Sequence, residues 1–266
     1  MSQSTKPTSA KSTRRHFMVT TVAAAGAVTI LPYALHAAGQ TGDSFDTPAG
    51  PITIAPVSHA SFVAQTPLGV IYVDPVGDAA AYADFPAPDL VLITHEHGDH
   101  YNQETLDAIV GDATQIIANP AVFAMLPEAM QAKAAEVANG GIASFNGLNI
   151  EAIPAYNITE ERLNFHPQGR DNGYVLNFDG FRMYISGDTE DTPEMRALEN
   201  IDLAFVCMNL PFTMDATAAA SAVAEFKPTY VYPYHYRGRD NGTQDPAEFA
   251  ALVGEGVEVK MGGWYG

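Results

Sequence analysis

Cysteine is almost absent from this sequence, since Cys207 is the only one among 266 residues. A single cysteine excludes an intrachain disulfide and a metal cluster held by several thiolates. Basic residues are also few, with 13 Lys and Arg against 31 Asp and Glu, which gives a formal net charge of −18 at pH 7. So acidic a surface repels nucleic acid and anionic lipid, and it predicts a soluble protein without a nucleic-acid partner.

Long apolar runs are lacking as well. The longest, Val19–Leu31, is too short to span a bilayer as a helix, so no stable membrane span is expected in the mature form. It follows the pair Arg14-Arg15 and Phe17, and the first 38 residues contain no acidic residue. This pattern predicts a twin-arginine signal peptide over 1–38 and export to the periplasm by the twin-arginine machinery. An ordinary secretory signal and an uncleaved anchor are the alternatives.

Metal-capable side chains are concentrated in one short stretch, the His-rich loop (Thr94–His100). Four of them follow the pattern His-x-His-x-Asp-His: His95, His97, Asp99 and His100. The apolar segment Leu90–Ile93 before the loop predicts a buried strand, whose end would hold the loop in place. Imidazole and carboxylate ligands suit zinc, iron or manganese. The alternative is a loop of solvated polar residues.

Strand and helix patterns place this loop inside a folded domain predicted over 46–266. Short antiparallel strands precede it, and a second group of strands follows over 142–185. Helices are predicted at Gln103–Val110 and, in two pieces broken at Pro127, over 120–137. Two strand groups, each followed by helices, predict two packed sheets with helices outside.

Three more candidate ligands lie downstream, at His166, Asp188 and His235. Asp188 and His235 each follow a predicted strand, and His166 lies in a long irregular segment from Asn157 to Asn172 that could form a lid or carry this histidine to the site. A single histidine is more often structural than a ligand. The spacing alone does not show that these residues converge.

In this order the candidates resemble the five motifs of the metallo-β-lactamase superfamily. Asp74 resembles the first motif, the His-rich loop the second, and His166, Asp188 and His235 the remaining three. Within the superfamily, four segments are similar to the branch of ascorbate-6-phosphate lactonase and N-acyl-phosphatidylethanolamine phospholipase D: His59–Phe62, Pro154–Asn157, Asn172–Tyr174 and Thr213–Asp215. The sequence departs from many relatives before His59, where Val57-Ser58 stand in place of a glycine.

The resemblance implies an α/β fold, an αββα sandwich of two mixed β-sheets flanked by helices. It also implies two divalent metal ions, with zinc expected and manganese or iron as alternatives. His95, His97 and His166 would bind one ion, Asp99, His100 and His235 the other, and Asp188 both. Two such ions lower the pKa of a shared water towards about 7, so hydroxide attacks the substrate at neutral pH.

Further residues receive roles with alternatives. Asp74 would orient a ligand histidine, or form a turn before Pro75. His59 and Asp99 are the catalytic candidates, and His59 would protonate a leaving group or play a structural part. Arg237, Arg239 and Asn172 are the substrate-binding candidates; the two arginines could instead pair with Asp240 or Asp245.

These features predict an exported dinuclear-metal-dependent hydrolase that cleaves an ester, lactone or phosphodiester of a small, anionic substrate. Two other functions are compatible with the same motifs. One is an iron-dependent oxidoreductase or sulfur-transforming protein of the same fold, and the other is a non-catalytic metal-binding protein. Neither the substrate nor the oligomeric state can be read from the sequence.

Overall fold

The computed structural model describes residues 1, 42–238 and 243–265. The predicted leader beyond Met1 and the predicted substrate ligand Arg239 lie outside these residues. Within them, no helix is long and apolar enough to cross a membrane.

The strands are β1 Asp43–Phe45, β2 Ile52–Ser58, β3 Ser61–Thr66, β4 Gly69–Val73, β5 Leu90–Ile93, β6 Gln115–Ala118, β7 Ala134–Glu136, β8 Ile142–Phe145, β9 Leu148–Ala155, β10 Asp171–Phe178, β11 Phe181–Ile185, β12 Leu203–Cys207, β13 Tyr230–Tyr234 and β14 Glu258–Val259. The helices are α1 Gln103–Ile109, α2 Pro120–Met125, α3 Glu128–Gln131, α4 Pro193–Arg196, α5 Ala216–Phe226 and α6 Pro246–Val253.

The strands form two seven-stranded mixed sheets. In the first sheet, β1 to β4 are antiparallel and β4 to β7 are parallel. In the second sheet, β8 to β11 are antiparallel and β11 to β14 are parallel. Together with the flanking helices, this arrangement confirms the predicted αββα sandwich.

The alternation of side chains along β4 shows the layers. Ile71 and Val73 belong to the core between the sheets, whereas Val70 and Tyr72 belong to a second cluster with residues of α1 and α2. Successive side chains of a strand point to opposite faces, so both faces of this strand are covered. Across the sandwich, the rings of Phe62 and Phe205 stack with their centroids 4.2 Å apart.

One prediction is wrong at the edge of the first sheet. The sequence predicts a helix up to residue 137, but the last helix of this segment, α3, ends at Gln131. It is followed by the strand β7, which pairs parallel with β6 from Ile116↔Ala134 to Ala118↔Glu136. Alanine favours helix locally, but the open edge of β6 offers hydrogen bonds that a helix would leave unmade. In addition, β1 lies before the predicted domain start at residue 46 and pairs with β2.

Candidate metal centre

The site lies where the ends of strands from both sheets meet. The His-rich loop leaves β5, Asp188 follows β11 after two residues, and His235 follows β13 directly. His166 comes from the connection between β9 and β10. The loop is held across the sandwich, because the hydroxyl of Tyr174 in β10 donates to the backbone carbonyl of Ile93 at 2.8 Å.

The structure brings all seven predicted metal ligands together. With His59, they form three donor groups among the described residues, and within each group the candidate ligand atoms lie within 4.8 Å of one another. The first donor group is His95, His97 and His166, the set that the resemblance assigns to one ion. The second donor group is His95, His100 and Asp188, and the third is His59, Asp99 and His235. His59 therefore stands beside Asp99 and His235, in the place that the sequence analysis gave to His100.

Asp188 lies between these groups. Its Oδ1 is 3.3 Å from His100 Nε2, while its Oδ2 is 3.5 Å from His166 Nε2 and 3.3 Å from His235 Nε2. Gly187 before it has φ +61°, and a Cβ there would lie 2.8 Å from the Asn172 carbonyl oxygen. Only glycine fits this close approach, which sets the direction in which Asp188 leaves the sheet.

The donor set fits a metal ion. His95 Nε2, His100 Nε2 and Asp188 Oδ1 are buried and have no hydrogen-bond partner. Buried polar atoms are nearly always satisfied, so a cluster of such atoms aimed at one point indicates a bound group. Among the described residues, no lysine or arginine pairs with Asp188, and a cation would balance its charge.

A buried carboxylate orients the His-rich loop. Asp74 Oδ2 accepts from His100 Nδ1 at 2.8 Å, and its two oxygens accept from the backbone N–H and the hydroxyl of Thr94, each at 2.7 Å. With Nδ1 engaged, His100 presents Nε2 to the site. The Thr94 hydroxyl also lies 3.0 Å from His95 Nδ1. Asp74 thus occupies the place expected of an orienting residue.

A second carboxylate does the same for His166, and the sequence analysis missed it. Asp171 is fully buried, and its Oδ2 lies 3.0 Å from His166 Nδ1. Arg170 donates to Asp171 through Nε at 2.6 Å and pairs with Glu96 at 2.9 Å. The only signal in the sequence was an acidic residue near the end of the irregular segment that carries His166, which does not identify its partner.

The chain segment that carries His166 is itself held in place. Glu190 accepts from the backbone N–H groups of Ile158 at 2.7 Å and Thr159 at 2.6 Å, and it pairs with Arg162. Burial opposes the ionisation of Glu190. Its hydrogen bonds, of which the one from Arg162 has the largest effect, nevertheless hold the pKa of Glu190 below its ordinary value. These contacts therefore hold the segment that carries His166 in one position.

Burial controls the protonation of the site. It lowers the pKa of His95 well below its ordinary value and also lowers the pKa of His97 and His235. Burial opposes a charge on His100 too, but the carboxylates of Asp188 and Asp74 raise its pKa well above the ordinary value. The lowered pKa values favour neutral His95, His97 and His235, the form in which histidine binds metal.

His59 lies at the edge of the centre. Its Nε2 is 3.2 Å from Asp99 Oδ2, its Nδ1 is 2.7 Å from the Tyr265 hydroxyl, and its ring lies 4.0 Å from that of His235. His59, Asp74 and His235 all have positive φ, at 56°, 43° and 47°. Such backbone strain costs about 1–3 kcal/mol for each residue and concentrates at functional sites.

A cavity of about 550 Å³ opens above these groups. Its lining includes His59, Asp99, Asp188, the aromatic side chains of Phe165 and Phe212, and the predicted substrate ligand Arg237. Arg237 stacks on Tyr265, with the guanidinium carbon 4.4 Å from the ring centroid. Asp245, one of its two predicted partners, instead caps α6 by accepting from the Ala247 N–H, and Asp240 lies outside the described residues.

The prediction that Asn172 binds substrate is corrected. Its side chain is fully buried, and it donates to the Val137 carbonyl at 2.7 Å while its Oδ1 accepts from Asn139 at 2.7 Å. Both ends of the amide are therefore engaged inside the protein. Asn172 ties the start of β10 to the connection between the two sheets.

Comparisons with known proteins agree with this geometry. Residues 53–235 match the beta-lactamase superfamily domain. A UPF0173 metal-dependent hydrolase from Thermococcus kodakarensis is 32% identical over 219 residues, which cover 76% of this chain and 92% of the relative. A crystal structure of a protein assigned as a metal-dependent hydrolase from Parabacteroides distasonis is 40% identical, with a TM-score of 0.72, and the match covers 83% of this chain and 97% of that chain.

A more distant structure, the diiron β-hydroxylase CmlA from Streptomyces venezuelae, has a TM-score of 0.64 at 17% identity. The match covers 79% of this chain and 52% of that one, and it shows a shared fold alone. The matched family covers all five motifs from Asp74 to His235. The chain therefore belongs to the beta-lactamase superfamily, and it is a metal-dependent hydrolase of the metallo-β-lactamase fold.

Proposed function

We propose that this protein is a dinuclear hydrolase that cleaves an ester, lactone or phosphodiester bond of a small anionic substrate. One observation carries the proposal: the buried carboxylate of Asp188 lies between histidines of separate donor groups, within 3.5 Å of His100, His166 and His235. Its Oδ2 alone faces both His166 and His235, which belong to separate donor groups, so this carboxylate is suited to bridging two cations. The choice of bond rests on the resemblance to the lactonase and phospholipase branch.

Each ion has its own set of residues in this proposal. His95, His97 and His166 would hold the first ion, and Asp99, His100 and His235 the second, with Asp188 shared between them. These ligands are all nitrogen or oxygen donors, which suit zinc, manganese and iron. We propose zinc as the resident metal.

The chemistry divides between the ions and the chain. When bound, two divalent ions lower the pKa of a shared water towards about 7 and polarise the electrophilic oxygen of the substrate. Asp74 and Asp171 keep the ligand histidines in place through their Nδ1 atoms. His59 lies on the cavity side with Nε2 beside Asp99, and a proton held there is placed for donation to a leaving group.

The proposal is tested by metal content together with turnover. We expect two metal ions per chain by elemental analysis, and His97→Ala and Asp188→Asn should each lose metal and activity. Asp179→Asn, on the exposed β10–β11 turn, is the matched control and should keep both. The substrate panel contains lactones, phosphodiesters, β-lactams and acyl esters.

Each contrary outcome has a distinct meaning. Two ions retained by His97→Ala or Asp188→Asn would contradict the ligand assignment. Redox-active iron without hydrolysis of any panel member would favour an oxidoreductase. Tightly bound metal with neither activity would favour a non-catalytic metal-binding protein.

We also propose that the leader directs export to the periplasm by the twin-arginine route, which carries folded and metal-loaded proteins. The support is the sequence Arg14-Arg15 ahead of the apolar run. Arg14→Lys combined with Arg15→Lys should leave the precursor in the cytoplasm, as measured by cell fractionation. Lys6→Arg combined with Lys11→Arg is the control, and undiminished export of the first double variant would contradict the proposal.

A further inference from the structure

The cavity above the metal centre has walls of two chemical kinds. Its volume of about 550 Å³ is in the range of sites for small molecules. Phe165 and Phe212, which together we term the aromatic wall, line it with apolar surface, and Arg237 lines it with a positive charge. The floor consists of the metal-binding side chains already described. A ligand that fills this cavity therefore contacts apolar and cationic groups as well as the metal-binding side chains.

The aromatic wall exposes apolar surface to the cavity. The two rings pack edge to face with their centroids 5.1 Å apart, and Phe165 remains 37% exposed. Two neighbours on the same chain segment are also exposed, Ile158 at 50% and Leu163 at 43%. Exposed apolar side chains concentrated in one chain segment, with Phe165 among them lining the cavity, indicate a surface that a ligand can cover.

This wall is preformed. The Asn157 side chain donates to the Phe212 carbonyl at 2.7 Å, and the Asn157 N–H donates to the His166 carbonyl at 2.8 Å. These bonds join the two ends of the wall to the segment that Glu190 fixes. Little conformational entropy is therefore lost when a ligand packs there, which favours binding.

The cationic side is equally defined. Arg237 stacks on Tyr265, whose hydroxyl contacts His59, so the guanidinium is held near the candidate proton donor. Within residues 42–238 and 243–265, no carboxylate forms an ion pair with Arg237. On a chain of net charge −18, such a cation marks a place for an anionic group.

We propose that the substrate is an anionic amphiphile: its carboxylate or phosphate group binds Arg237, and its acyl chain packs on the aromatic wall. This inference rests on the proposed function, because it describes the substrate that the same site hydrolyses. Phe165 directly precedes His166 of the first donor group, whereas Arg237 is joined through Tyr265 to His59 of the third donor group. A ligand that binds both therefore passes across the metal-binding groups, and the bond between its acyl chain and its anionic part falls there.

Binding of unreactive carboxylates tests the acyl part. Isothermal titration calorimetry of the metal-loaded protein with butanoate, hexanoate and octanoate should show affinity rising about fourfold for each added methylene that is buried. Any carboxylate–metal contact is common to the series, so the slope reports the apolar surface alone. Phe165→Ala should flatten the slope, whereas Ile142→Ala, which removes an exposed apolar side chain on β8, should not.

Arg237 is tested by comparing octanoate with octanamide. Arg237→Ala should weaken octanoate binding about tenfold or more, as expected for a lost hydrogen bond to a charged group, and should leave octanamide unchanged. Arg182→Ala, which removes an arginine paired with Glu151, is the matched control and should leave both affinities unchanged.

The outcomes separate this inference from the proposed function. Hydrolysis of panel substrates with a flat chain-length series would overturn the amphiphile and leave the hydrolase proposal intact. A steep series in a protein that hydrolyses no panel member would support the subsite and contradict the hydrolase proposal. Equal losses of octanoate and octanamide in Arg237→Ala would overturn the role of Arg237.

Discussion

The two sheets each provide a buried aspartate that holds a metal-site histidine, but they balance its charge differently. In the first sheet, Asp74 contacts His100 at 2.8 Å, and its other partner is the neutral Thr94. In the second sheet, Asp171 contacts His166 at 3.0 Å and is also paired with Arg170. The Asp171–His166 pair therefore has the permanent cation of Arg170 beside it, while the Asp74–His100 pair has no lysine or arginine among its contacts.

This difference indicates which half of the metal centre depends on bound metal for its stability. Buried carboxylates without a cation are costly, and in the metal-free protein Asp74 has His100 alone, among its contacts, to offset its charge by taking up a proton. The raised pKa of His100 reflects this need. We infer that the His-rich loop is the less stable half when metal is removed.

Metal removal should have the largest effect. If free metal had stood at a thousand times its dissociation constant, chelation should lower the free energy of unfolding by about 4 kcal/mol. Hydrogen exchange should then rise more in residues 94–102 than in residues 165–172, because Arg170 still balances Asp171. Equal rises in both segments would remove the proposed asymmetry.

Substituting each aspartate separately should give the next effect. Asp74→Asn and Asp171→Asn should each weaken one of two metal-binding steps by about 10–100-fold, since each aspartate orients a histidine of a different donor group. Competition with a chromophoric chelator measures both steps.

The control for this pair is Asp89→Asn, an aspartate that accepts only a backbone N–H, that of Val70, at 2.8 Å. It should leave both metal-binding steps unchanged. If Asp74→Asn and Asp171→Asn weakened the same step, the two histidines would belong to one ion and the proposed ligand sets would be wrong.

A smaller effect is expected from Arg170→Ala. The guanidinium is partly exposed, so its loss should lower the free energy of unfolding by about 1–2 kcal/mol. It should also make the hydrogen exchange of residues 165–172 respond to chelation as strongly as that of residues 94–102. An unchanged response there would show that Arg170 is not what stabilises the second half.

Cys207 should show almost no effect. It is fully buried in β12 of the second sheet, and burial raises the pKa of its thiol to about 12. Iodoacetamide at pH 8 should not label it in the folded protein, with or without metal, and should label it in denaturant. Labelling after chelation alone would show that the second sheet opens too, against the proposed difference.

How much of this site the sequence reveals depends on how local each feature is. The His-rich loop and its preceding strand are continuous, so spacing alone identified His95, His97, Asp99 and His100 as candidates. Placing the distant His166, Asp188 and His235 beside them required the resemblance to known motifs.

The features that sequence reasoning missed are contacts between segments far apart in the chain. Nothing near Asp171 indicates that it meets His166 Nδ1, and nothing near Tyr265 indicates His59. The burial that removes Asn172 from the cavity is also a property of the assembled sheets. At β7, pairing with a neighbouring strand overrode a local preference for helix.

The order of strands in the sheets has a consequence for assembly. Each strand pairs only with its neighbours in sequence, so the first sheet is complete by residue 136 and the second begins at residue 142. Each of the three donor groups nevertheless takes residues from both halves, with His166, Asp188 and His235 coming from the second. Two fragments divided after Ala138 would each hold a whole sheet and only part of every donor group. Metal bound by both fragments would add to the core that the two sheets share, so the affinity of the fragments for each other should rise with metal concentration.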